Sequence, residues 1–309
     1  MATESLLSFV RSGSDLTSRI GGTPLVPVTG LSGIPAGVTV LGKAEWLNPG
    51  GSVKDRAAWG IVRDALDSER LLVGRRLLDA TSGNTGIAYA WIGATMGFGV
   101  TLCLPANANA ERRRLMAALG AELVLTDAMD GTDGAIREAR RLAAEHPDRY
   151  AYVDQYAHPE NWRAHYFGTA AEIWADTHGE ITHLVAGIGT SGTLMGTTRR
   201  LRELNPSLTA IAVQPDSPLH ALEGLKHLPS AIVPEIYDAA AHDQKVTAST
   251  EKAYATCAEV LRDHGLLVGH SAGAALWAAR EVGRGLTSGV IVALLPDGGE
   301  RYLGTKAGA

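Results

Sequence analysis

The feature that most constrains this chain is a rhythm. Short β-branched runs alternate with segments of helical period along most of its 309 residues. Strands are predicted at 38–43, 77–80, 100–104, 122–126, 151–153, 183–186, 209–213 and 290–295. The first long helix is predicted at 55–71, where Ala58, Ile61, Val62, Ala65 and Leu66 share one face. Further helices are predicted at 85–96, 110–119, 132–145, 161–176, 193–204, 250–264 and 272–282, and a Pro-punctuated stretch at 215–243 interrupts the pattern. Parallel strands need helical crossovers, so the alternation implies an α/β fold of mostly parallel, twisted sheets with helices on both faces. The length exceeds what one core usually needs. Two open-sheet domains are therefore expected, a smaller one at 39–158 and a larger one built from 1–38 and 159–309.

Composition narrows the function. Lys plus Arg number 28 against 33 for Asp plus Glu, a net charge of −5, so there is no basic surplus for nucleic acid. The longest apolar runs, such as 291–295, are too short to span a bilayer, and no secretory leader is visible at the N-terminus. Cys103 and Cys257 stand far apart, which excludes a disulfide framework and a thiolate zinc site. No H-E-x-x-H or similar spacing occurs among the ten histidines, so no metal is expected. A cytoplasmic protein is the expectation that remains.

Glycine is in excess, 36 residues, and it is clustered. The clusters fall at predicted strand-to-helix turns: NPGGSVKDR at 48–56, TSGNTG at 81–86, GIGTSGT at 187–193 and GHSAG at 269–273. Ligands of open α/β sheets bind beyond the carboxyl ends of strands, at helix N-termini. Four such loops on two domains imply one ligand in a cleft. The 187–193 loop combines amides, hydroxyls and a helix start, which suits a phosphate dianion. It also matches G-x-G-x-x-G, but a nicotinamide site wants an acid closing the next strand, and Gln214 stands there. A tight turn without a ligand is the plain alternative.

Lys54 opens a helix, where its charge opposes the helix dipole and its pKa is expected to fall. An amine nucleophile or base and a solvated surface lysine both fit the local sequence. Combined with a phosphate cradle and a cleft, the lysine points to pyridoxal phosphate bound through an imine.

The segments NPGGSVKDRAA, TSGNTGIAYA, GIGTSGTLMG and GHSAGAA, in this order, resemble the pyridoxal-phosphate enzymes of fold type II. IGGTPLV at 20–26 and GERYLGT at 299–305 extend the resemblance over nearly the whole chain. The family in view is that of cysteine synthase and the cystathionine β-synthase core. The resemblance implies that Lys54 carries the cofactor aldehyde and that Asn84 bonds the ring hydroxyl. Gly187, Ile188, Gly189, Thr190, Ser191 and Thr193 would hold the phosphate. Ser271 would face the pyridine nitrogen and leave it neutral, favouring β-elimination over transamination; a helix N-cap is its other reading. Thr81, Ser82, Gly83, Thr85 and Gln155, the last within VDQYAHPEN, would bind the substrate carboxylate.

The implied reaction is β-replacement on O-acetylserine or O-phosphoserine by sulfide or thiosulfate, through an α-aminoacrylate, giving cysteine or S-sulfocysteine. The stretch LEGLKHLPSAIVPEIYD at 222–238 is similar to the B-type cysteine synthases and places Lys226 where a cation would favour an anionic leaving group or donor. A solvated loop lysine is its alternative. His270 stands beside Ser271 as either a packing residue or a modifier of substrate choice. Other members of the fold remain alternatives: cystathionine β-synthase, 2,3-diaminopropionate synthase and serine dehydratase, or, from another class, a silent ligand-binding α/β protein. A homodimer and a complex with serine acetyltransferase are implied by resemblance only.

Overall fold

The structure, a computed structural model, describes residues 15–29, 31–81 and 83–303. Its strands in chain order are β1 (Leu25–Pro27), β2 (Val38–Ala44), β3 (Arg76–Ala80), β4 (Val100–Pro105), β5 (Glu122–Thr126), β6 (Tyr150–Tyr152), β7 (His183–Gly187), β8 (Thr209–Pro215), β9 (Gln244–Ala248) and β10 (Gly289–Leu295). They form two sheets, one in each of two units. Among the described residues, the first unit holds 15–20 and Lys54–Asn161, and the second holds Gly21–Val53 and 162–303.

In the first unit the order is β5-β4-β3-β6, all parallel. The two-residue period of a strand sorts its side chains between two helical layers. Leu77, Val100, Leu102 and Leu104 pack with the helices Lys54–Asp67 and Asn84–Met96. Leu78, Ala80 and Cys103 turn the other way, onto Ala135, Ile136 and Ala139 of the helix Gly131–Glu145. Every residue of β4 is buried, as a central parallel strand requires. Truncating fully buried Leu102 to Ala would cost about 2–5 kcal/mol.

The second unit has the order β1-β2-β10-β7-β8-β9, parallel except that β1 runs antiparallel to β2. Val185, Ile211, Ile291 and Ala293 face the helix His270–Gly283 and Val260 of the helix Thr250–His264. Leu184, Ala186, Ala212 and Val292 face the helices Ala170–Asp176 and Gly192–Leu204.

The α/β class with mostly parallel sheets and helices on both faces is what the alternation predicts, and four details differ. The smaller unit does not start at 39: β2 pairs in parallel with β10 from Val38↔Gly289 to Ala44↔Leu295, so 39–53 lies with the larger unit. Residues 15–20 lie with the smaller one, where Ile20 packs on its core. The helix expected at 161–176 is three pieces, Pro159–Ala164, a π-helical turn His165–Thr169, and Ala170–Asp176. Strands β1 and β9 were not anticipated; β1 is three residues long, and β9 is a polar edge strand with little apolar signature.

Candidate active site

In the first unit, β3 ends at Ala80 and delivers the chain into the 81–86 loop, from which the helix Asn84–Met96 rises. Thr81 Oγ1 accepts from the main-chain N–H groups of Gly83 and Gly86, both at 3.1 Å. With both lone pairs engaged, the hydroxyl keeps its hydrogen for an outside acceptor. Thr85 Oγ1 donates to Gln155 Oε1 at 2.8 Å, and Gln155 Nε2 donates to the Ala80 carbonyl at 2.6 Å. That amide nitrogen retains a second N–H. Asn161 Nδ2 donates to the Gln155 carbonyl at 2.6 Å and fixes the turn after β6. These donors at a helix start can hold a carboxylate.

Asn84, half-buried, is the first residue of that helix, with Gly83 as its N-cap. A Cβ on Gly83 would stand 2.6 Å from Nη1 of buried Arg112, so a guanidinium lies directly against the loop. Lys54 begins its helix as predicted and is half-buried, and Asp55 behind it accepts from Trp91 Nε1 at 3.1 Å. Ser82, expected among the carboxylate ligands, lies outside the described residues.

Asp79 is buried at the end of β3, and no cation pairs with it among the described residues. Its Oδ1 accepts from Ala80 N at 2.8 Å and its Oδ2 from Gln155 N at 3.3 Å. Burial, reinforced by the charge of Asp154, pushes its pKa up to about 8 despite those hydrogen bonds.

In the second unit, β7 runs into the 187–193 loop and then the helix Gly192–Leu204. Another segment lies against Gly187 and Gly189, by a side chain at the first and by backbone at the second. A Cβ on Gly189 would be 2.2 Å from the Gly224 carbonyl oxygen, and one on Gly187 would be 2.5 Å from Leu225 Cδ2. Lys226 N donates to the Ile188 carbonyl at 2.8 Å, which holds 224–226 on the loop. Lys226 is buried, not solvated, with Nζ 3.4 Å from the Ile232 carbonyl. Thr190 and Ser191 are buried, and Ser191 takes a left-handed φ of 70° as the helix N-cap. Its Oγ is buried with no hydrogen-bond partner among the described residues. Thr193 Oγ1 is 3.2 Å from His165 Nε2, and His165 Nδ1 is 2.8 Å from Thr169 Oγ1.

Ser271 is buried in the first turn of the helix His270–Gly283, which packs on β7 and β10. The N-cap is Gly269, so the alternative of Ser271 as the cap falls. His270 lies between the rings of Tyr254 and Tyr302, with centroids at 4.1 and 4.2 Å and the planes tilted by 43° and 42°. The segment leading to Lys54 is also pinned within this unit, by Val53 N to the Pro296 carbonyl at 2.8 Å. Upstream, buried Glu45 accepts from Thr23 Oγ1 at 2.7 Å and Asn48 Nδ2 at 2.9 Å.

Thus the structure groups Thr81, Gly83, Thr85 and Gln155 around one helix start, with Asn84 on it. It groups Gly187 through Thr193 with Lys226 around another. Sequence reasoning missed His165, Asp79 and Arg112, whose partners are remote in the chain. Burial pushes both cysteine thiols up to about 12, so neither supplies a thiolate at neutral pH. No cluster of three His, Cys, Asp or Glu suited to a metal occurs among the described residues.

These residues fit a cofactor bearing a phosphate and an aldehyde. Buried polar atoms are normally hydrogen-bonded, so the orphaned Ser191 hydroxyl at a helix N-terminus marks a place for an anion. A Cβ at Gly189 would fill the cradle, and Lys54 supplies a primary amine.

Comparison with known proteins bears on the same residues. The family model described as pyridoxal-phosphate dependent enzyme matches residues 16–297. A cysteine synthase of Aquifex aeolicus is 49% identical over 93% of this chain and 89% of its own. Cysteine synthase B of Pseudomonas aeruginosa is 40% identical, covering 92% of this chain and 94% of its own. The crystal structure of a cysteine synthase from Entamoeba histolytica superposes with a TM-score of 0.89 at 36% identity, covering 94% of this chain and 89% of that one. With its two mostly parallel α/β sheets and its glycine loops at strand ends, the chain belongs to the pyridoxal-phosphate dependent enzymes of fold type II, in the branch of the cysteine synthases and cystathionine β-synthases.

Proposed function

We propose that the protein replaces the β-substituent of an activated L-serine, O-acetylserine or O-phosphoserine, with sulfide or thiosulfate, forming cysteine or S-sulfocysteine. The observation that carries this reading is the interlocked trio Thr81, Thr85 and Gln155, which leaves a hydroxyl hydrogen and an amide N–H for an amino-acid carboxylate. Its support from relatives is the cysteine synthase identity along almost the entire chain.

Pyridoxal phosphate, when bound, supplies an electron-withdrawing ring that acidifies the Cα–H of the amino acid. Lys54 would hold the aldehyde carbon at rest, and its amine, when free, would carry the proton to and from the substrate Cα. The Gly187–Thr193 amides and hydroxyls would hold the phosphate, and Asn84 would bond the ring hydroxyl. Ser271 would offer a hydroxyl to the ring nitrogen. A hydroxyl, unlike a carboxylate, does not hold that nitrogen protonated, which disfavours transamination. Lys226 favours an anionic leaving group or sulfur donor. The proposal extends to a cytoplasmic homodimer and to a complex with serine acetyltransferase, on the strength of the motif resemblance.

The test is the visible spectrum of the purified holoprotein before and after O-acetylserine, then O-phosphoserine, without sulfide. A yellow band that shifts with either substrate, and is absent in Lys54→Ala, is expected. A protein that cannot be made yellow with pyridoxal phosphate, or a Lys54→Ala variant with full activity, overturns the mechanism.

A further inference from the structure

We propose that Asp79 is a positioning residue of the amino-acid carboxylate site: it anchors the Gln155 peptide beside the Thr81–Thr85 loop, and its ionisation loosens the hold on a substrate carboxylate. The inference rests on Thr81, Thr85 and Gln155 binding that carboxylate. Asp79 stands two positions before Thr81, with Ala80 alone between them, and one carboxyl group accepts the main-chain N–H groups of both Ala80 and Gln155. Ala80 in turn accepts the Gln155 side chain. A single buried carboxyl therefore ties together the backbone that presents every donor of the trio.

The groups around Asp79 are acids and phenols. Tyr89 faces it from the helix Asn84–Met96, Cys103 from β4, and Tyr152, Asp154 and Tyr156 from β6 and the turn beyond. On the helix Gly131–Glu145, Asp133 faces Tyr156, Glu138 faces Cys103, and the cation Arg140 is engaged by Asp154 and Tyr152. Among the described residues no cation pairs with Asp79. Hydrogen bonds offset a negative charge there only in part, and no cation among the described residues joins them, so ionisation sets a like charge close to the bound carboxylate. The carboxyl is pushed up to about 8 chiefly by burial, which places the change just above neutrality.

The probe is propionate, a carboxylate with no titrating amine, and the readout is its Ki against the amino-acid substrate for the holoenzyme from pH 6.5 to 9.5. In the wild type Ki should rise about tenfold with an inflection near 8. Asp79→Asn stays neutral but cannot accept both main-chain N–H groups, so its Ki should be offset upward and flat with pH. An inflection that survives in Asp79→Asn overturns the proposal. So does a flat wild-type profile, which decides the matter even if the variant fails to fold. Thr85→Ala and Gln155→Ala should raise Ki at every pH; if they leave it unchanged, the carboxylate assignment itself fails, a result distinct from failure of Asp79.

Discussion

The main-chain N–H of Lys226 donates to the carbonyl oxygen of Ile188 at 2.8 Å, clamping a remote segment onto the 187–193 loop. The clamp brings the Gly224 carbonyl so near Gly189 that a Cβ there would sit 2.2 Å away, and both partners in that contact are backbone. Gly189→Ala must therefore move one chain or the other. The expected outcome is a loss of pyridoxal-phosphate affinity of about tenfold or more, measured by titrating the apoprotein, with far-UV circular dichroism unchanged.

The same clamp fixes where Lys226 begins, and its side chain is buried rather than solvated. A buried ammonium beside a phosphate-type loop discriminates by charge. Lys226→Met keeps the stem and removes the charge. It should lower kcat/KM for O-phosphoserine about ten- to hundredfold while changing that for O-acetylserine less than about twofold. Equal losses for both substrates would show that the lysine only packs.

How much of this was legible in advance differs from element to element. Leu102 and its neighbours announce a buried strand because a central parallel strand has no polar face to confuse the pattern. The glycine loops were legible for a related reason, since only glycine meets the close approach of Gly224 to residue 189. The sequence pattern places 39–53 with the smaller unit, and the structure with the larger, because pairing between β2 and β10 joins positions some 250 apart that no local pattern encodes. His165 and Asp79 were invisible for the same reason. A buried polar residue looks like any other until the fold supplies Thr193 or Gln155 as its partner.

His165 shows how such a partner acts. It sits in a π-helical turn between Thr169 and Thr193, and the helix carrying Thr193 approaches closely because Gly196 faces the Trp162 carbonyl. Removing the imidazole frees the Thr193 hydroxyl to rotate. His165→Ala should weaken pyridoxal-phosphate binding about three- to tenfold, and His165→Gln, whose amide reaches the Nε2 position, should restore most of it. Apoprotein titration of both variants checks this; no difference between them would confine His165 to a space-filling role.

Asp79 also predicts a pH dependence of stability, independent of any ligand. Its carboxyl is raised from 3.8 to about 8 in the folded protein, chiefly by burial. The folded state thus binds a proton that the unfolded chain releases above its ordinary carboxylate pKa. That proton's contribution is complete below about pH 4, declines through the neutral range, and is gone above about pH 8, where the residue costs the fold several kcal/mol relative to acid. Asp79→Asn has no proton to lose. Compared with the wild type, it should gain several degrees in Tm at pH 8 over its standing at pH 5, even though one hydrogen bond to Gln155 is lost at both. Thermal melts of both proteins at the two pH values measure this. A difference between variant and wild type that stays constant, or shrinks, as pH rises would mean that Asp79 is already ionised in the folded state at pH 5.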